Sequence, residues 1–298
     1  MNSKIITSFL ILSVILIIPQ VYAQSEPIPE VNQKSVQVTI ESDGNVSVLH
    51  QIRDTNDSRE LKFVDGTVSN VEFIDKLGRY EAVEITPGAK SIVILPNQGE
   101  MFVKYDLDDA LILKNNIWSL DFRYLETTTF VVPEEVKLLF ANERPVFLES
   151  KNAFTCHGCQ MLLEYSINEP IKIQTVEWEN QKFVVEMITF AEIENFQFSQ
   201  PTKEISFNVN QSDQFVTTVI PLELLWGPYA VFLNDEKTFF HEYVNNGTHV
   251  WVNMKPDTTG KISIIGTTVV PEFPIIAPLA IGFLIIMMVP LIRKFNLR

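Results

Sequence analysis

The chain has 298 residues, 46% of them apolar and 11% aromatic, and its 37 acidic against 23 basic side chains give a formal net charge of −14. That much core material excludes an intrinsically disordered chain. The negative field excludes nucleic acid as a partner, because phosphate backbones are bound chiefly through Lys and Arg. The same field favours solubility and the gathering of cations at a surface.

The first element is an uncharged apolar run from Ile5 to Val21, behind Lys4 and closed by Val21-Tyr22-Ala23. A basic start, a short apolar stretch and small residues at the cleavage point form a secretory signal peptide. Residues 1–23 are therefore expected to be removed on export, leaving Gln24 at the mature N-terminus. Setting aside Lys4, Glu272, Arg293, Lys294 and Arg298 leaves 19 basic and 36 acidic residues in 24–268, so the exported region is more acidic than the whole chain.

From residue 24 to 169 the apolar side chains recur at every second position, the period of a half-buried strand. Val36, Val38 and Ile40 alternate with polar residues, Ser42-Asp43-Gly44-Asn45 supplies turn chemistry, and Val46, Val48, His50 and Ile52 resume the alternation. This pattern predicts a β-hairpin. Further strands are expected over 91–95, 101–105, 118–124 and 136–140. Trp118, Leu120, Phe122 and Tyr124 share one face, which reads as core. The segment Asp106 to Asn116 is the best short helical candidate. Asp106, Asp108 and Asp109 within it could hold calcium with nearby carbonyls, although a solvated turn explains them as well.

Both cysteines of the chain lie in Cys156-His157-Gly158-Cys159, which continues as Gln160-Met161. An isolated pair in an exported chain is expected to oxidise to a disulfide. Closing so short a loop contributes roughly 2 kcal/mol by the chain-entropy relation, so its effect would be local. The same segment also offers a soft-metal site for copper or zinc, with Cys156 and Cys159 as ligands and His157 or Met161 completing the set. It matches one half of a zinc knuckle without the other half. A redox dithiol is a third reading, without the βαβ setting such motifs use. Covalent haem attachment is excluded because Gln160 stands where a histidine is required.

After Pro170 a second series of alternating runs follows, over 171–178, 183–190, 204–209, 215–220, 229–233, 238–243, 249–254 and 261–265. Spacings near ten residues with Asn-rich turns predict an antiparallel sandwich of immunoglobulin-like size, with a domain boundary near Glu169-Pro170. His241-Glu242-Tyr243-Val244-Asn245 begins like a zincin motif but ends in asparagine on an alternating strand, so His241 reads as an ordinary strand residue. His50 and His249 also fall in strand patterns. No nucleophile elbow or phosphate-binding glycine loop is present. Four Asn-x-Ser/Thr acceptors, at Asn45, Asn56, Asn210 and Asn246, fall in or beside expected turns and are glycosylation candidates.

The chain ends with Pro271-Glu272-Phe273-Pro274, an uncharged run from Ile275 to Ile292, and the basic tail 293–298 with Arg293, Lys294 and Arg298. Eighteen residues of helix span roughly 27 Å, enough to cross a bilayer core, and the basic tail is expected to stay cytoplasmic. Residues 269–274, the apolar run and the basic cluster together resemble the C-terminal sorting tail of archaeal PEF-type surface proteins. That resemblance covers about the last 30 residues. It implies that Pro271, Glu272 and Phe273 are read by a membrane transpeptidase of the archaeosortase class, which would remove the helix. The residues alone read equally as an ordinary membrane anchor with a proline-marked turn. The segment from Ile220 to Pro228, Ile-Pro-Leu-Glu-Leu-Leu-Trp-Gly-Pro, is similar to a module of surface proteins from ammonia-oxidising archaea, which implies compartment and lineage but no mechanism.

These features predict an all-β ectodomain of two β-rich domains, 24–169 and 170–268, the second an immunoglobulin-like antiparallel sandwich, with one C-terminal transmembrane helix at 275–292. The expected function is that of a membrane-anchored cell-surface protein with a structural or binding role in the envelope. Its partners would be the membrane, envelope proteins or cations, and no catalytic constellation is recognised. The competing reading is a surface copper- or zinc-binding or redox protein centred on Cys156 to Met161.

Overall fold

A computed structural model describes residues 28–148, 151–178 and 180–267. The signal segment, the Pro271-Glu272-Phe273 motif, the 275–292 run and the basic tail lie outside the described residues. Among the described residues the chain forms strands, turns and loops, and no helix is long and apolar enough to cross a membrane.

The first fourteen strands are β1 (Gln33–Ile40), β2 (Val46–Ile52), β3 (Arg59–Lys62), β4 (Thr67–Ile74), β5 (Tyr80–Ala82), β6 (Ser91–Ile94), β7 (Met101–Asp108), β8 (Leu111–Lys114), β9 (Ile117–Tyr124), β10 (Thr128–Val131), β11 (Leu138–Ala141), β12 (Arg144–Phe147), β13 (Ala153–Cys156) and β14 (Cys159–Tyr165). The other ten are β15 (Ile171–Trp178), β16 (Gln181–Ile188), β17 (Ile193–Ser199), β18 (Glu204–Val209), β19 (Val216–Pro221), β20 (Ala230–Leu233), β21 (Glu236–Lys237), β22 (His241–Asn245), β23 (His249–Met254) and β24 (Gly260–Ile265). Every strand pair joins partners on the same side of Pro170.

In the first half a seven-stranded sheet, ordered β13-β10-β1-β2-β7-β4-β5, faces a five-stranded sheet, ordered β12-β11-β14-β9-β8. All pairs in these two sheets are antiparallel except β1 with β10. The expected β1–β2 hairpin forms with Ile40 opposite Val46, and it buries Val36, Val38, Ile40, Val46, Val48, His50 and Ile52. The alternation that predicted it is thus the alternation of buried and outward positions. Its turn turns on Gly44, at φ +93°, where an added Cβ would lie 2.7 Å from the Trp118 ring. Leu120 and Phe122 of β9 and Leu163 of β14 meet the hairpin's apolar face in one continuous core. The small β3–β6 sheet adds Leu61 and Ile94 to that core.

In the second half two five-stranded antiparallel sheets, β15-β16-β19-β23-β22 and β17-β18-β24-β20-β21, share a second core. Val185, Met187, Val216 and Val252 enter it from one sheet, and Ile205, Phe207, Val231 and Ile264 from the other.

The helical expectation for Asp106 to Asn116 is overturned. Residues up to Asp108 complete β7, Leu111–Lys114 form β8, and Asn115-Asn116 turn the chain into β9. Both asparagines have positive φ, 52° and 61°. That pair of dihedrals is what a two-residue hairpin of the twist-compatible kind needs, and asparagine tolerates it better than most residues.

Candidate functional site

Cys156 and Cys159 are joined as a disulfide, with their Cα atoms 6.0 Å apart. The bridge closes a short loop, yet it links two sheets. Cys156 ends β13 on the edge of the seven-stranded sheet, and Cys159 opens β14 in the five-stranded one. Gly158 takes the left-handed conformation at the turn, φ +63°, close to the Leu125 carbonyl. The copper or zinc set Cys156, His157, Cys159 and Met161 is not assembled. The two sulfurs are bonded to each other, exposed His157 pairs its Nδ1 with Thr127 Oγ1 at 2.9 Å, and Met161 is packed into the core. Among the described residues no group of three or more His, Cys, Asp and Glu side chains is placed to hold a metal ion.

The other sequence candidates separate as well. Asn45, Asn56, Asn210 and Asn246 are all exposed, outside strands or at their ends. Asn246 uses its Oδ1 to accept from Thr248 N, Thr248 Oγ1 and His249 N, which fixes the β22–β23 turn. Asp106 and Asp108 accept hydrogen bonds from Asn70 Nδ2 and Ser69 Oγ on neighbouring β4 rather than converging on a point.

His50 belongs to a buried relay that stitches the first half together. Val64 N donates to Tyr105 Oη, which leaves the Tyr105 hydroxyl to donate to His50 Nε2 at 2.9 Å. His50 Nδ1 then donates to Gln33 Oε1, Gln33 Nε2 to Tyr124 Oη, and Tyr124 Oη to the Lys62 carbonyl. Every member is satisfied, as buried polar groups must be. Burial lowers the His50 pKa to about 3, so the ring stays neutral.

The concave feature with convergent chemistry lies where the two halves meet, a cleft of about 320 Å³. Its floor is Phe140 of β11 stacked on Phe215, just before β19, with ring centroids 4.2 Å apart. Lys255, just after β23, lies over the Phe215 ring at 5.4 Å and pairs with Glu164 of β14 at 2.8 Å. On the rim, His241 Nε2 donates to the Glu143 carbonyl at 2.6 Å, and Phe239 packs edge-on against the His241 ring while remaining 66% exposed. The carboxylates of Glu143, Asp213 and Asp257 line the same space. One lysine, already paired, thus faces an excess of acid and an exposed aromatic edge and face. Such a setting favours an ammonium or guanidinium group, which gains from carboxylates and from the π face together.

Around the cleft, Gln214 Nε2 donates to the Asn115 carbonyl at 2.6 Å, and Phe147 approaches Tyr243. Glu169, in the crossing segment, is partly buried, and burial raises its pKa from 4.5 to about 7. Burial also raises the Tyr243 phenol to about 12, with a smaller contribution from the Glu169 charge, which places that carboxyl beside the junction. Among the cleft residues, His241 lies in the near-zincin segment and Asp213 follows the Asn210 acceptor, and nothing local marks Phe140, Phe215 or Lys255. Two adjacent aromatics, Phe239-Phe240, ahead of a strand that needs only one inward ring, are the signal that was available. No protein family matches this chain, and no curated protein aligns with it.

Replacing both cysteines, Cys156→Ser with Cys159→Ser, should lower stability by about 2 kcal/mol in urea denaturation and leave the strand-type circular dichroism unchanged. A loss of fold would assign the bridge a global role. For Glu169 the sign follows from a raised carboxyl pKa. The native state holds the proton more tightly, so its stability suffers no penalty below pH 4.5, loses ground between 4.5 and about 7, and stays lower above that. The Glu169→Gln variant should therefore melt higher than the wild type at pH 8 and equally at pH 4.

Proposed function

We propose that the protein is exported by its N-terminal segment, held at the cell surface by the 275–292 run, and displays two β domains, 24–169 and 170–268, as a binding or structural component of the envelope. The second domain is of immunoglobulin-like size, a two-sheet sandwich of ten strands, and the acidic exterior suits a cation-rich surface layer. Processing at Pro271-Glu272-Phe273 by an archaeosortase-type enzyme, which would remove the 275–292 run, is the alternative to its retention as the anchor.

The observation that carries the binding role is the cleft at the junction. Sites between domains are where concave pockets with few convergent polar groups usually form. Here the aromatic floor, the uncompensated carboxylates and the exposed Phe239 suit a cationic group, such as a lysine or arginine side chain of an envelope protein. The disulfide, which spends both thiols, favours this over a soft-metal role.

Protease shaving of intact cells should release the region 24–268 while an epitope at Arg298 stays protected. On the released region, Phe239→Ala with Asp213→Asn should weaken capture of a Lys/Arg-rich peptide at least tenfold. A protected ectodomain would contradict the topology, and unchanged capture would contradict the cleft.

A further inference from the structure

The module Ile220 to Pro228 has no part in the cleft, and its geometry is specific. After β19 the chain makes a tight loop in which Leu222, Leu224 and Leu225 are buried in the second core, while Trp226 beside them is 49% exposed. The loop is braced on all sides. Leu224 N and Leu225 N both donate to the Pro221 carbonyl, Leu222 N to the Thr248 carbonyl at 2.8 Å, and Tyr229 Oη to the Leu225 carbonyl at 2.7 Å. A large apolar ring is thus held outward by a rigid frame, with no pairing to another aromatic ring among the described residues.

Trp226 also marks the place where the folded chain leaves the second half. Thr267 N donates to the Trp226 carbonyl at 2.9 Å, Thr267 Oγ1 to the Gly227 carbonyl, and Gly266 N to the Lys203 carbonyl at 2.9 Å. Lys203 Nζ closes the group on the Thr267 carbonyl at 2.7 Å. This pole is the end opposite to the cleft. β19 starts at Val216, next to cleft residue Phe215, and ends at Pro221, and antiparallel β23 returns from His249 to Met254, next to Lys255. The first half therefore caps one end of the second, and the end carrying Trp226 is free of it.

Seven residues, 268–274, separate Thr267 from the uncharged run that begins at Ile275. Fully extended they reach roughly 25–30 Å, so an anchored chain keeps this pole facing the bilayer at close range. Tryptophan is the side chain that gains most at a membrane–water interface, where its ring is shielded and its N–H stays hydrated. We propose that Trp226 is a lipid-contacting anchor that seats the second half on the headgroup layer of the membrane. This rests on the reading of 275–292 as a membrane span. The lipid contact is with an uncharged or zwitterionic surface, because the exported region is strongly acidic and Glu223 is exposed beside the tryptophan. Seated in this way, the chain holds the cleft one domain length away from the bilayer.

The test uses the full chain reconstituted in phosphatidylcholine vesicles. Flotation with the vesicles reports the anchor and does not depend on Trp226. Emission from Trp226 is isolated as the difference between wild type and Trp226→Phe, which retains an apolar ring, and, as a second route, from a chain with Trp118, Trp178 and Trp251 replaced by Phe. Quenching of that emission by at least half in vesicles of shallow-brominated phosphatidylcholine is the expected result. A chain that floats but whose Trp226 emission is the same in brominated and plain vesicles would overturn the proposal and leave the anchor standing. A chain that does not float would overturn the span and the proposal together.

Discussion

The ion pair between Lys255 and Glu164, laid over the stacked rings of Phe140 and Phe215, is the contact on which the arrangement of the whole molecule depends. The two halves share no strand pairing, so beyond the crossing segment they are held by contacts of side chains with side chains and with main-chain carbonyls. Glu164 is 8% exposed, and a carboxylate removed from water to that degree must keep its partner. The stacked phenylalanines add apolar contact, closing with Ile117 a third, small core between the two large ones. An interface of this kind fixes geometry more than it adds stability, because the desolvation of the pair offsets much of its attraction. The cleft exists because the halves are fixed in this way.

From that constraint the rest follows in order along the chain. The first half is stiffened internally by the His50 relay and by the Cys156–Cys159 bridge, both of which tie one sheet to another. Among the described residues the second half has a shorter buried polar contact, Asn253 Nδ2 donating to Thr217 Oγ1, and relies on its two-sheet apolar core. With the first half at one end of β19 and β23 and the chain leaving at the other, the molecule is polar in the geometric sense. One end gathers acid and aromatic surface, and the other offers a single braced tryptophan.

Much of the strand content was legible because half-buried strands write their burial into a period of two. β15, β18 and β23 match the expected ranges residue for residue, and the β1–β2 hairpin forms at the expected position. β14 shows where that legibility stops. Its Leu162 faces outward and both Glu164 and Tyr165 are buried, so its pattern departs from strict alternation where the second half packs against it. Short β3, β8 and β12 and the longer β4 and β17 escaped as well; in β8, for example, Ile112 and Leu113 are both exposed and give no apolar rhythm. The cysteine loop was legible as a pair but not as a link between sheets, which depends on pairings distant in sequence. The cleft was illegible altogether. Phe140 and Phe215 lie 75 positions apart, and each looks like any other core ring until the halves meet.

The end-to-end lock is tested most directly by pulsed dipolar distances between spin labels on exposed Asp121→Cys in the first half and Glu194→Cys in the second. A single narrow distance distribution is expected in the otherwise unaltered chain, broadening when Lys255→Ala is combined with Phe215→Ala. A broad distribution before any change at the junction, or one indifferent to losing Lys255 and Phe215, would contradict the lock.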